Sequence, residues 1–421
     1  MNVRIKKGKL NGIVNVPSSK SLTHRAIIAA SLASGTSHIK NINKSKDIEA
    51  TIKAMRQLGA SIIESNNELT IVGSYPLLKE NVIDCNESGS TIRFLIPLAL
   101  LQEKEVTFVG HNKLIDRPQD VYLDIFKEKG IEYHIDSNTH YLPLRVKGPL
   151  KSGIYTLRGD VSSQFITGLL YALPLLDGDS EIRITTKLES KSYIDLTIDV
   201  LKTFGVSVLY KDNVYYVKGN QEYKACDYTV EGDFSQAAFW LASDMLGSTV
   251  KLSNMNPDSL QGDKEILEDI SLIGGKVVYE NNLYYVIKDD MKNVDIDVSN
   301  TPDLGPILTC LLTQARGKST LYNAERLRIK ECDRITCVKE ELLKLGLDID
   351  ETNDSIIING KNDVNGGVVD SHNDHRLVMS FAILATISKN DVVITNANAI
   401  TKSYPHFFDD FIKLGGNVSY E

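Results

Sequence analysis

Apolar and polar positions along the chain follow two alternating rhythms. Apolar residues at three- and four-residue spacing predict amphipathic helices over residues 48–58, 121–129, 194–204, 266–273, 335–345 and 407–414. A glycine follows each one: Gly59, Gly130, Gly205, Gly275, Gly346 and Gly416, at intervals of 70 to 75 residues. Glycine just past a helix supplies the left-handed C-cap. After the first five comes period-two alternation broken by an Asn/Asp turn. Those turns are Ser65-Asn66-Asn67, Asp136-Ser137-Asn138, Lys211-Asp212-Asn213, Glu280-Asn281-Asn282 and Thr352-Asn353-Asp354, and they read as β-hairpins.

Each period also opens with a second, more uniformly apolar helix, followed by a short strand. These helices are expected to begin near Lys20, Ser88, Asp160, Gly232, Thr301 and His372. The repeating unit is therefore βαβαββ, present six times. At about 70 residues it exceeds the ~20–50-residue repeats of common solenoids and is the size of a small subdomain. The sixth copy is short by one strand, because only five residues follow Gly416. A spare strand at Val3-Arg4-Ile5 is inferred to complete or adjoin that last unit, which removes an unpaired edge.

This closure predicts two domains of three units each. One comprises residues 1–17 with 231–421, units four to six closed by the N-terminal strand. The other comprises residues 18–230, units one to three. The helix starts near Lys20 and Gly232 lie just after the two chain crossings and are expected to face an interdomain cleft, the favoured place for an active site.

Composition narrows the function. The 421 residues carry a formal net charge of −8, which argues against nonspecific nucleic-acid binding. The longest apolar stretches, near residues 94–101 and 165–176, are too short or too interrupted to span a bilayer. No apolar run follows Met1–Lys7, so no secretion signal is expected. Five cysteines without a CxxC pair suit reduced thiols in a cytoplasmic protein.

Within this acidic chain the predicted helix starts concentrate cations. Lys20, Arg25, Arg117, Lys330, Arg334, Arg376 and Lys402 stand there against Asp303 and Glu331. Two cations at a helix N-terminus, as with Lys20 and Arg25, oppose the helix dipole unless an anion sits there. The set implies one or two substrates bearing several negative charges. His372-x-x-His375 has metal-pair spacing but lacks an acidic general base and a third ligand, so no metal is expected. Cys332 and Cys337 read as packing residues. No GxGxxG follows a strand and no GxxxxGK[ST] occurs, which weakens dehydrogenase and P-loop readings.

Taken together the motifs resemble the 5-enolpyruvylshikimate-3-phosphate synthase family, within the enolpyruvyl transferases. They are Lys20-Ser21-x-x-x-Arg25 after Pro17-Ser18-Ser19, Ser88-Gly89-Ser90-Thr91-Ile92-Arg93, Arg117-Pro118, Gly159-Asp160-Val161-Ser162-Ser163-Gln164-Phe165, Pro302-Asp303, Arg328-Ile329-Lys330-Glu331-x-Asp333-Arg334, Asp374-His375-Arg376 and Lys402-Ser403-Tyr404-Pro405. The likeness covers nearly the whole chain. It implies an α/β fold of two inverse α/β barrel domains, each of three βαβαββ units. It also implies transfer of the enolpyruvyl group of phosphoenolpyruvate to the 5-hydroxyl of shikimate 3-phosphate, in the chorismate route to aromatic amino acids.

By the same resemblance phosphoenolpyruvate is held by Lys20, the Gly89 backbone, Arg117, Gln164, Arg334, Arg376 and Lys402. Shikimate 3-phosphate is held by Lys20, Ser21, Arg25, Ser162, Ser163, Gln164, Ser190, Asp303 and Lys330. Asp303 is the expected base for the alcohol, and Glu331 and Lys20 are the candidates for proton transfer at carbon. Glu87 stands where the family often has Asn, and Arg326 near an Asn of some members. No metal or organic cofactor, no nucleic acid and no membrane partner is implied, and a cytoplasmic monomer is expected. Two rival readings are UDP-N-acetylglucosamine enolpyruvyl transfer, whose family starts with Lys-Asn where this chain has Lys20-Ser21, and a noncatalytic binder of phosphorylated metabolites. A pure binder gains nothing from Asp303 and Glu331 facing two anions.

Overall fold

The computed structural model describes residues 1–136 and 139–421. Among the described residues are twelve α-helices: α1 (Lys20–Leu32), α2 (Lys46–Gln57), α3 (Gly89–Ala99), α4 (Asp120–Lys129), α5 (Ser163–Ala172), α6 (Lys191–Thr203), α7 (Phe234–Met245), α8 (Ile266–Ile273), α9 (Gly305–Leu312), α10 (Arg334–Lys344), α11 (His375–Ala385) and α12 (Phe407–Lys413). Chain contacts divide the protein into two compact units, Met1–Ser19 with Glu231–Glu421, and Lys20–Val230. Each unit has its own apolar core and three four-stranded sheets.

The expected boundary at residues 17 and 18 moves two positions along the chain. Ser18 forms an antiparallel bridge with Gly232, and the Ser19 N–H donates to the Glu231 carbonyl (2.8 Å). Both serines therefore belong with the segment that begins at Glu231.

Every sheet has one parallel and two antiparallel pairings, and in three of them the parallel strands are joined through a helix and followed by an antiparallel hairpin. Val82–Asp84 runs parallel to Glu105–Val109, which pairs antiparallel with Leu144–Lys147 and through it with Glu132–Ile135. In three sheets a distant segment supplies one strand. Val3–Lys6 lies between Val392–Thr395 and Asn417–Tyr420, antiparallel to both. Asn11–Asn15 runs parallel to Thr249–Ser253, and Tyr228–Thr229 parallel to Gly35–Lys40.

Local chemistry accounts for half of the helix starts. Ser45, Ser88, Ser162, Asp233, Asp333 and Asp374 are N-caps whose side-chain oxygens accept backbone N–H bonds from the first turn. Asp212-Asn213 and Asn281-Asn282 both take positive φ at two successive residues, as a two-residue hairpin of the I′ type requires. Of the turn expected at Asp136-Ser137-Asn138, the last two residues lie outside those described.

Two of the six closing glycines were expected one position too late. Gly274 and Gly415 carry the positive φ (112° and 91°), not Gly275 and Gly416. Gly275 and Gly416 are instead held by packing. A Cβ would lie 2.5 Å from the Met245 sulfur at Gly275, and 2.1 Å from the Phe411 ring at Gly416.

Candidate functional site

In the unit Lys20–Val230 the site residues gather at helix N-termini. Lys20 opens α1, and its ammonium pairs with Asp47 in the first turn of α2 (2.9 Å). Arg25, one turn later, is buried. Its Nε donates to Thr197 Oγ1 (2.9 Å), Nη1 to the Ser21 carbonyl (2.8 Å) and Nη2 to the Tyr193 carbonyl (2.8 Å). Arg25 therefore braces α1 against α6 and lies 5.3 Å from the Phe94 ring centroid. Burial lowers its pKa, with partial opposition from nearby tyrosines.

At the start of α3, Gly89 lets a guanidinium approach the backbone. A Cβ there would sit 2.8 Å from Arg117 Nη1. Arg117 is itself buried, and its Nε has no hydrogen-bond partner among the described residues. A buried cation without a counter-ion is costly. Here it lies beside the free N–H groups of a helix start, so the place suits an anion. Gln164 at the start of α5 donates to Ser90 Oγ (2.9 Å) and accepts from Arg93 (2.9 Å). Ser162 caps that helix, accepting from the Gln164 N–H, and Ser163 is buried beside it. Ser190 precedes α6 in the left-handed region (φ 52°) and is buried.

The unit built from Met1–Ser19 and Glu231–Glu421 holds a second cluster around one carboxylate. Asp303 sits in the single 3-10 turn Pro302–Leu304 that leads into α9. Its oxygens meet Lys330 (3.4 Å), Arg334 (2.8 Å) and Arg376 (3.2 Å). Arg334 is fully buried and reaches three carboxylates: Asp303, Glu331 (2.8 Å) and Asp374 (2.7 Å). Arg376 also donates to the Ser235 carbonyl (3.0 Å) and hydroxyl (2.8 Å). Lys402 donates to the Asn373 carbonyl (2.6 Å).

The charges shift one another. Burial alone would raise the Asp303 pKa, but Lys330, Arg376 and Arg334 outweigh it and hold the carboxyl well below the usual range. Burial pushes Lys330 down to about 8; Asp303 opposes that shift, and Arg334 and Arg326 add to it. Burial works against the Arg334 charge too, but Asp374, Glu331 and Asp303 keep it firmly protonated.

Direct ion pairs join Asp303, Lys330, Glu331, Arg334 and Arg376 in one unit, and in the other Gly89 lies against Arg117. Four residues escaped the reading from sequence. Asp47 sits in the acid-rich first turn common to helices, so spacing gave no sign that it meets Lys20. Asp374 was visible only as part of Asp374-His375-Arg376, yet it holds Arg334 and caps α11 at once. Arg93 and Ser235 act through contacts distant in sequence. His372 hydrogen-bonds Glu341 (2.8 Å), and these two with Glu340 form a compact His/Glu group. The Glu341 oxygens already accept from Lys344 and the Asp370 N–H, so the group is a structural network. All five cysteines are free. Among the described residues no helix is long and apolar enough to cross a membrane.

Comparison with known proteins finds relatives along nearly the whole chain. Residues 5–411 match the family EPSP synthase (3-phosphoshikimate 1-carboxyvinyltransferase). The 3-phosphoshikimate 1-carboxyvinyltransferase of Clostridium novyi is 49% identical over 430 residues, covering 99% of this chain and 98% of that protein. Its counterpart in Clostridium kluyveri is 48% identical over 420 residues, with the same coverage. A solved structure of EPSP synthase from Acinetobacter baumannii superposes with a TM-score of 0.83 at 26% identity, covering 100% of both chains. With six βαβαββ repeats, two cation-rich helix-start clusters and this match along its length, the chain belongs to the EPSP synthase (3-phosphoshikimate 1-carboxyvinyltransferase) family.

Proposed function

We propose that this protein transfers the enolpyruvyl group of phosphoenolpyruvate to the 5-hydroxyl of shikimate 3-phosphate, releasing phosphate. The observation that carries the reading is Asp303, a carboxylate held among Lys330, Arg334 and Arg376. The named relatives favour this acceptor over UDP-N-acetylglucosamine. Phosphoenolpyruvate is assigned to Lys20, the Gly89 backbone, Arg117, Gln164, Arg334, Arg376 and Lys402. Shikimate 3-phosphate is assigned to Lys20, Ser21, Arg25, Ser162, Ser163, Gln164, Ser190, Asp303 and Lys330. The enzyme acts in the cytoplasm as a single chain, without metal or organic cofactor.

The chemistry follows from charge. The acceptor oxygen bonds to C2 of the vinyl phosphate as its proton leaves, and a proton reaches the methylene carbon. The phosphate C–O bond then breaks as that carbon returns a proton, so nothing is oxidised or reduced. Asp303 takes the alcohol proton, and Glu331 and Lys20 serve the carbon. A carboxylate held by three cations is a weak base. Substrate anions compete for those same cations, and each one drawn to a phosphate or carboxylate raises the basicity of Asp303. The base therefore sharpens when both substrates are bound.

Phosphate release with both substrates tests the proposal. It should require both, and Asp303→Ala should lower kcat by about 10²–10⁴-fold while phosphoenolpyruvate still binds. Phosphate release from one substrate alone, or normal turnover in the variant, overturns it.

A further inference from the structure

A buried hydrogen-bond chain joins three helices of the unit Lys20–Val230. His24 Nδ1 lies 2.8 Å from Thr51 Oγ1, which lies 2.7 Å from Thr91 Oγ1. Thr91 Oγ1 donates to Ser88 Oγ (2.7 Å), the N-cap of α3, which also accepts the Thr91 backbone N–H (3.1 Å). All four side chains are buried.

Its position is set by helical spacing. His24 is four residues after Lys20 on α1, and Thr51 is four residues after Asp47 on α2, so each pair shares a helix face. The two helices are thus cross-linked by parallel rungs: Lys20 to Asp47 at the first turn, and His24 to Thr51 one turn in. The second rung then continues to α3, whose first residues are Gly89 and Ser90.

The direction of the chain fixes the tautomer of the ring. Each threonine hydroxyl has one proton. Thr91 spends its proton on Ser88, so it must accept from Thr51; Thr51 then has none left for His24 and must accept from the ring. His24 therefore carries its proton on Nδ1. Nε2 is the bare nitrogen, and it has no partner among the described residues. Burial, with Lys20 and Arg25 nearby, lowers the ring pKa well below its ordinary value, so the ring stays neutral.

We propose that His24 is a positioning residue: its Nδ1–H drives a one-way hydroxyl chain that fixes the register of the α1 start, bearing Lys20, against the α3 start, bearing Gly89 and Ser90. The consequence for turnover rests on the assignment of Lys20 and Gly89 to phosphoenolpyruvate. Small misplacements of a binding group are expensive, since reacting parts must be held to within a fraction of an ångström.

The test uses the full-length protein. Histidine-selective 15N labelling, with the His24 signal identified by its loss in His24→Asn, should show a neutral ring protonated on Nδ1 and not titrating between about pH 5 and 8. Thr51→Val keeps the volume and removes one link. It should raise KM for phosphoenolpyruvate about 5- to 20-fold, more than it changes the KM for shikimate 3-phosphate or kcat, to both of which Lys20 also contributes. Asn can place an N–H where Nδ1 stands and Gln cannot, so His24→Asn should keep the wild-type KM and His24→Gln should lose it. A filler role would predict the reverse order, because Gln is closer to His in length. An Nε2-protonated or titrating ring, an unchanged KM in Thr51→Val, or equal loss in Asn and Gln variants overturns the proposal. Lys20→Met with an unchanged phosphoenolpyruvate KM would instead fail the site assignment, and the kinetic role of the register with it. The spectrum still decides the chain itself.

Discussion

Lys330 shows how one buried cation can set a pH limit. Burial brings its pKa to about 8, and it faces Asp303 at 3.4 Å. Below that value it carries the charge assigned to shikimate 3-phosphate, and above it the charge is lost. For the free enzyme, kcat/KM for shikimate 3-phosphate should therefore fall as pH rises through about 8. Lys330→Arg keeps its charge throughout that range. It should move the alkaline limb of the kcat/KM profile upward, whatever its effect on the plateau. A wild-type profile flat to pH 9.5 would contradict the assignment. Asp303 titrates far below this range, so it does not blur the limb.

At the scale of elements, much of the fold was legible in the sequence because local chemistry decides it. Capping serines and aspartates, Asp-Asn and Asn-Asn turns, and apolar periodicity all act within a few residues. What could not be read depends on distant partners. The glycines closing α8 and α12 come in pairs, Gly274-Gly275 and Gly415-Gly416, and only the backbone shows which one turns left-handed. Asp47 looks like an ordinary first-turn acid until Lys20 is placed beside it. The hydroxyls of Thr51 and Thr91 look like neutral helix residues until α2 and α3 meet.

Helix α8 carries a further consequence of burial. Asp269 is buried, and its Oδ2 has no partner among the described residues. Burial first, then Glu265 and Glu268, raises its pKa to about 7. Asp244 on α7 is raised to about 7 by burial as well, although both its oxygens accept backbone N–H bonds, from Val250 (2.7 Å) and Val286 (3.0 Å). For an acid whose folded pKa is raised, the native state holds a proton that the unfolded chain has released. Stability is greatest below the unfolded value of about 4 and declines as pH rises to about 7. Asp269→Asn removes that decline. Its unfolding free energy in urea should exceed the wild type by an amount that grows from pH 4 to pH 7, on the order of 1–3 kcal/mol. Asp244→Asn should destabilise instead, because an amide nitrogen would face a backbone N–H. A constant offset for Asp269→Asn across this range would exclude the ionisation.

For the whole molecule, the chain path assigns stability unevenly. Each unit has its own core, and the first unit takes its N-terminal strand from the far end of the sequence. Val3 and Ile5 are fully buried, and Val3–Lys6 is the pairing partner of the last strand, Asn417–Tyr420. Removing residues 1–6 strips two core side chains, each worth about 1.5–3 kcal/mol, and leaves the Val392–Thr395 strand with an open edge. The loss falls on one unit only. Trp240, the sole tryptophan, lies in that same core, stacked on Phe407 with ring centroids 5.1 Å apart. Its fluorescence therefore reports the first unit, while far-ultraviolet circular dichroism reports the helices of both. In the truncated protein the tryptophan transition should shift to lower urea by several kcal/mol of unfolding free energy. The dichroism curve should then become biphasic, with its second phase at the wild-type midpoint of Lys20–Val230. If both probes shift together as a single transition, the two units unfold as one cooperative body, and the separate accounting of their cores does not hold.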